Sequence, residues 1–361
     1  MADFRPGLEG IVAFETEIAE PDRDGGALRY RGVDIEELVC TVPFEKVWGL
    51  LVDESPEPGL LPAEPYRAAD LTGNAPADLQ SVTARLGGEW ALGKVIDISD
   101  EQAKEDLRHL SATMISVVAQ SARIADGNGT PVDLGVIAEG KTTAERFLRE
   151  WRGEAVPEHV VAIDTYWICT AEHGMNASTF TARVVTSTGA DCAAAMSSAV
   201  GALSGPLHGG APARVLPMLD AAAAAPSIDE FVTGLLDRGD RLMGFGHRVY
   251  RAEDPRARLL RRTAKELESP RFEVAEELEN VALSALAERH PERVLATNVE
   301  FWSAVVLDVA GVPPDLAPAM FACSRTAGWA AHILEQKRLS RLVRPSARYV
   351  GPGPRPFSSL R

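Results

Sequence analysis

Strict alternation of apolar and polar residues, the mark of a half-buried strand, is scarce in this chain. Apolar residues at helical spacing recur between glycine and proline punctuation. That pattern predicts an all-α fold. One stretch breaks it. Ile11, Val12, Ala13 and Phe14, the turn-rich DRDGG and then Leu28 to Tyr30 predict a small N-terminal β-hairpin. Asp34 follows as the cap of a helix through Val39, and residues Ser55 to Pro76 read as a loop joining short helices. Helices are predicted over Asp100 to Asp126, Val160 to Thr170, Ala193 to Leu203, Ser227 to Asp237, Pro255 to Leu267, Val274 to Arg289 and Ala317 to Leu339. The proline-rich tail VRPSARYVGPGPRPFSSLR cannot be helical and is expected to lie across a surface.

At 361 residues the chain can bury a large core and predicts two domains, or one with a lobe. A formal charge of −15 argues against nucleic acid or an anionic membrane as partner. Cys40, Cys169, Cys192 and Cys323 are scattered without metal-ligand spacing, as in a reduced cytosolic protein. The start MADFRPGLEG lacks the features of a signal peptide, and no apolar run is long enough to span a bilayer. The expectation is a soluble cytoplasmic protein with no metal and no membrane.

An acidic protein that binds anions must concentrate positive charge locally, and one segment does so. In MGFGHRVYRAEDPR, Gly244 and Gly246 flank Phe245 in a turn that lets a ligand approach the main chain, and His247 can exchange a proton near neutral pH. Arg248, Arg251 and Arg256 supply forked donors suited to carboxylate or phosphate. The run suggests a site for a small anion that undergoes proton chemistry. Arg258, Arg261 and Arg262 read as a solvated helix face. His332 and His109 read as packing or capping residues, Trp302 and Trp329 as core, and Asn176 as a substrate-orienting residue or a helix cap.

Four more segments place polar groups in apolar or glycine-rich settings: EHGMNAST, SGPLHGGAP, TNVEFWSA and ACSRTAGWAAH. Together with the glycine-histidine run they resemble the citrate synthase family. G-P-L-H-G-G, G-F-G-H-R-V-Y, D-P-R, N-V-E-F and S-R…G-W-x-x-H-x-x-E-Q stand in the family's order and at about its spacing. The likeness covers Gly7 to Phe44 and Pro157 to Gly351. Between about Val52 and Gly140 it is thin, and an expected H-P-M element is missing.

The resemblance implies a citrate synthase-like architecture, with a large helical domain (1–212 and 313–361) and a smaller inserted one (213–312). It implies an acyltransferase of the tricarboxylic acid cycle that condenses acetyl-CoA with oxaloacetate, needing no cofactor beyond these substrates. Carried over residue by residue, Glu300 is the base, His208 the donor to the enol oxygen and His247 the group that polarises the ketone. A helix beginning at His208 would keep its imidazole neutral. His173, Arg256 and Arg325 bind the oxaloacetate carboxylates, joined by Arg344 from the second subunit of a homodimer. Leu242, Met243, Gly244, Phe245 and Gly246 wrap CoA through their backbone, with Arg248 or Arg251 available for its phosphates.

One departure stands out. The family carries aspartate where this chain has Glu300, so the carboxylate survives on a stem one methylene longer. Displacing a reacting group by about 1 Å can cost on the order of 100-fold in rate. Two rivals remain open: a 2-methylcitrate synthase using propionyl-CoA, and a non-catalytic protein that binds CoA or a dicarboxylate.

Overall fold

The computed structural model describes residues 4–8, 10–22, 26–209, 214–246, 253–292 and 295–357. A three-stranded antiparallel sheet opens the fold. Strand β1 (Ala19–Asp22) pairs with β2 (Ala27–Tyr30), Ala19 opposite Tyr30 and Asp22 opposite Ala27, and β3 (Val33–Asp34) adds to β2. The hairpin exists, but its first strand is not Ile11 to Phe14. Tyr30 pairs with Ala19, so the register has run out before the apolar run begins. Ile11 and Val12 are exposed instead, and Phe14 packs on Phe180 with ring centroids 6.0 Å apart. Asp34 caps α1 (Ile35–Leu38), as its sequence position predicts.

Further helices follow: α2 (Phe44–Val52), α3 (Ala75–Glu89), α4 (Asp100–Ala125), α5 (Leu134–Ala138), α6 (Thr143–Arg152) and α7 (Pro157–Thr170). Next come α8 (Ala177–Ser187), α9 (Cys192–Leu203), α10 (Val215–Ala224), α11 (Ile228–Asp237), α12 (Pro255–Glu266), α13 (Phe272–Arg289), α14 (Val299–Val309) and α15 (Ala317–Leu339). Their starts are chemically specified. Ser99, Thr142, Asn176, Asp191, Ser227 and Asn298 each accept a first-turn backbone N–H through the side chain. Among the described residues no helix is long and apolar enough to cross a membrane.

Helix α15 is the axis of the molecule. It packs against α2, α4, α7, α8 and α9 and is buried along most of its length, Trp329 included. The small residues of α9 allow close approach to α3, where Ser197 Oγ donates to the Gln80 carbonyl at 2.9 Å. Leu79, Val82 and Leu86 fill that seam, each contributing about 1.5–3 kcal/mol by leaving water. Helices α10 to α14 pack chiefly on one another and meet the rest mainly through α7 and β2. Trp302 is core there, its Nε1–H donating to Glu279 at 2.9 Å.

His332 is buried, as a packing residue should be. It stands between Arg183, 2.9 Å from Nδ1, and Glu172, 3.2 Å from Nε2. His109 does not fit that expectation. It is exposed on α4 because Glu101, Glu105 and His109 follow at four-residue steps along the solvent side, while Leu107, Leu110 and Met114 take the core side.

Candidate active site

The C-terminal end of α7 and the loop after it supply the floor. Arg325, in the middle of α15, is buried and donates from Nε to the Thr170 carbonyl at 2.9 Å. Its guanidinium lies 4.7 Å from the Phe321 ring centroid, and burial lowers its pKa. Glu172 is wholly buried beside it, and among the described residues its Oε2 accepts no hydrogen bond. His173 follows in the same loop, half-buried.

His208 enters from the turn that follows α9. No helix begins at it; its N–H instead returns to the Gly205 carbonyl at 3.0 Å, closing the end of α9. The neutral state expected of this imidazole therefore has another origin. Burial, and then the positive charge of Arg325, push its pKa down to about 4. Its ring sits edge-on to Phe321 at 6.0 Å, next to Arg325 on the same helix.

Ser178 is a residue that motif reading passed over, although it lies inside the NAST run. Its Oγ is 2.9 Å from His208 Nε2, donates to Asn176 Oδ1 at 2.8 Å and accepts from Trp329 Nε1 at 3.1 Å. A hydroxyl has one proton. While Asn176 takes it, His208 must carry its own proton on Nε2; turned toward Nε2, it leaves His208 protonated on Nδ1. Asn176 meanwhile accepts the Thr179 N–H at 3.1 Å and caps α8.

The opposite wall comes from α12 and α14. Asp254 precedes Pro255, which occupies the first turn of α12, and caps that helix. It accepts Arg256 N at 3.0 Å, Arg256 Nε at 2.9 Å and Val299 N at 3.1 Å. Asp254 thus ties the start of α12 to the start of α14, where Glu300 stands. Glu300 is half-buried, and among the described residues its carboxylate accepts no hydrogen bond. Burial pushes its carboxyl up to about 7; Arg256 pulls the other way, and Asp254 adds to the rise.

Residues Leu242 to Gly246 are stitched to the approach of α14. Gly246 N–H donates to the Ala296 carbonyl at 2.8 Å, Asn298 N–H to the Gly244 carbonyl at 2.9 Å, and Asn298 Nδ2 to the Gly246 carbonyl at 3.0 Å. Gly244 has φ +86°, and a β-carbon there would fall 2.6 Å from Phe301 Cβ. Part of this loop's backbone is therefore spent on holding its shape.

The structure thus groups His208, Arg325, Arg256 and Glu300, with His173 in the adjoining loop. Arg344 is not among them: it is exposed in the non-helical tail. His247, Arg248 and Arg251 lie outside the described residues. Arg258 and Arg262 are exposed, as their sequence suggests, and pair with Glu36 and Glu266, whereas Arg261 is half-buried between Glu276 and Glu279. Among the described residues no group of three or more His, Cys, Asp and Glu could hold a metal ion, and the four cysteines are free.

Comparison with known proteins converges on one family. The model of the citrate synthase C-terminal domain matches residues 7–346, which includes the segment where motif likeness is thin. A Mycobacterium tuberculosis protein named "Putative citrate synthase 2" is 60% identical over 360 residues, 99% of this chain and 96% of its own. The 2-methylcitrate synthase of Shewanella oneidensis is 31% identical over 362 residues, covering 97% of this chain and 95% of its own. Among solved structures, citrate synthase from Thermoplasma acidophilum in complex with carboxymethyl coenzyme A and oxaloacetate superposes with a TM-score of 0.86. It is 26% identical, with 99% of each chain covered.

Proposed function

Because the chain belongs to the citrate synthase family, we propose that it joins acetyl-CoA to oxaloacetate in a Claisen-type condensation and hydrolyses the thioester to give citrate and CoA. The observation that carries this reading is a pair of titratable groups moved in opposite directions and joined through Arg325 and Arg256, each of which feels the charge of the next. Glu300 is raised to about 7 and His208 lowered to about 4. A carboxylate raised that far is a stronger base than usual yet still ionised near neutral pH, and a neutral imidazole can donate without being a strong acid.

The Glu300 carboxylate takes a proton from the acetyl methyl. The electron pair of the broken C–H bond becomes the enolate double bond, the carbonyl π pair moves onto the thioester oxygen, and that oxygen receives a hydrogen bond from His208. His208 donates through Nδ1, so Ser178 must turn its hydroxyl proton from Asn176 to Nε2. The enolate carbon then attacks the oxaloacetate ketone. A carbon–carbon bond forms, the ketone π electrons move to its oxygen, and that oxygen takes a proton from His247. Water then cleaves the thioester, releasing citrate and CoA.

Arg256, Arg325 and His173 hold the oxaloacetate carboxylates, the arginines through their forked donors. Residues 242–246 carry CoA, with Arg248 or Arg251 at its phosphates. Residues 213–312 form the small domain, whose movement against the rest (1–212 and 313–361) opens and closes the cleft. The working unit is a homodimer in which the partner's tail delivers Arg344, and the enzyme acts in the cytoplasm, in the tricarboxylic acid cycle. Thiol release from acetyl-CoA, dependent on oxaloacetate, tests the reading. Faster release from propionyl-CoA would instead make the chain a 2-methylcitrate synthase, the name its Shewanella relative carries. No release at all, with both ligands still bound, leaves a non-catalytic binder.

A further inference from the structure

A cavity of about 230 Å³, away from the candidate active site, lies among α4, α5, α6 and the loop of residues 60–66. That is below the usual range of about 300–1,000 Å³ for ligand pockets, so it suits one small metabolite and not a nucleotide. Its walls are mostly apolar, with Leu60, Ile115, Ile137 and Phe147 among them, and it also touches Arg146 and Glu150. None of these residues belongs to the cleft described above.

Glu150 is 7% exposed. Its Oε1 accepts from Ser116 Oγ at 2.9 Å and Gln120 Nε2 at 3.1 Å, with Arg67 Nη1 at 3.6 Å. Its Oε2 accepts nothing among the described residues, although burial raises the carboxyl to about 7. Arg146, one helical turn earlier on α6, is half-buried, and its guanidinium has no hydrogen bond or ion pair among the described residues. Acid and base at this i, i+4 spacing are near enough to pair. Here they do not, and both line the cavity. Unsatisfied charge in a low-dielectric setting favours a ligand that answers both signs.

We propose that this cavity is a second small-molecule site, for an apolar α-amino acid whose ammonium meets Glu150 Oε2, whose carboxylate meets Arg146 and whose side chain lies on the apolar wall. An amine alone would sit in a pocket that also faces Arg146 and Arg67, and an acid alone would face Glu150. Only a zwitterion on an apolar body complements every group at once. The site stands independently of the condensation reading.

Calorimetric titration of the full chain with L-leucine and L-phenylalanine tests this, beside 3-methylbutylamine (ammonium only) and 4-methylpentanoate (carboxylate only). Saturable binding of an amino acid is expected, tenfold or more tighter than either single-headed analogue. Glu150→Gln, which keeps the Oε1 acceptor, and Arg146→Ala should each weaken it at least tenfold. Ala138→Trp, at an exposed position of the rim, should block it while leaving the melting temperature near that of the parent chain. No saturable binding, equal binding of a single-headed analogue, or affinity unchanged in Glu150→Gln and Arg146→Ala overturns the proposal.

Discussion

Arg256 holds Asp254 at two points, Nε to Oδ1 at 2.9 Å and Nη2 to Oδ2 at 2.7 Å, and both side chains are buried. The same carboxylate accepts Val299 N–H from the first turn of α14. The residue proposed to grip oxaloacetate and the helix that carries the proposed base are therefore fixed by one group. Asp254→Asn removes one charge of a buried ion pair, a change that costs about 3–5 kcal/mol. Urea denaturation should show a loss of that size, and the KM for oxaloacetate should rise more than that for acetyl-CoA. A variant with unchanged stability would mean that the pair does not organise the wall.

Glu300 gives the pH dependence. Its carboxyl is raised to about 7, so kcat/KM should climb as pH rises through about 7 and the base ionises. His208, at about 4, stays neutral from pH 5 upward and adds no limb there. For stability the sign is the reverse. The folded chain binds this proton more tightly than the unfolded chain, whose glutamate titrates near ~4.3, so Glu300 costs stability increasingly as pH rises from there through about 7. Glu300→Gln should therefore melt higher than the parent at pH 8 and no higher at pH 4. Equal melting curves at both pH values would contradict the burial of this charge.

Ser178 should behave as a positioning residue. Ser178→Ala takes away the hydroxyl that holds His208 Nε2, and kcat should fall roughly 10- to 100-fold, the usual scale for losing an orienting partner. KM for both substrates should change little, and Ser178→Thr should restore part of the loss. An unchanged kcat in Ser178→Ala would remove Ser178 from the mechanism.

Gly244 tests the loop. Alanine there must hold φ +86° and meet Phe301 Cβ at 2.6 Å. Incompatible backbone alone costs about 1 kcal/mol or more. Gly244→Ala should raise the KM for acetyl-CoA severalfold while the affinity for oxaloacetate stays within twofold. Equal effects on both ligands would show that the loop does not serve CoA alone.

Much of this was legible in the sequence because helices announce themselves locally. Proline at the start of α7 and α12, Asp34 before α1, and a 3.6-residue apolar rhythm along α4 are short-range signals, whereas α15, expected to be apolar on one face, is buried on all sides. The hairpin misled because an apolar run marks burial only if its register brings it to a face, and β1 pairs from Ala19. The neutrality of His208 was foreseen with the wrong cause: a helix end is a local expectation, whereas Arg325 arrives from over a hundred residues away. Ser178 and the Asp254–Arg256 grip were missed for the same reason in part. Their meaning depends on His208 and Val299, partners that only the fold brings near. Asp254 did carry a faint signal, as an aspartate directly before Pro255 at a helix start.

Glu300, despite its longer stem, is proposed as the base of an acetyl-CoA condensation. The most direct measurement is oxaloacetate-dependent thiol release, with acetyl-CoA and propionyl-CoA side by side, for the parent chain, Glu300→Gln and Glu300→Asp. The expected result is release with acetyl-CoA favoured, a loss of about 100-fold or more in Glu300→Gln, and retained or higher activity in Glu300→Asp. Release that survives undiminished in Glu300→Gln would contradict it.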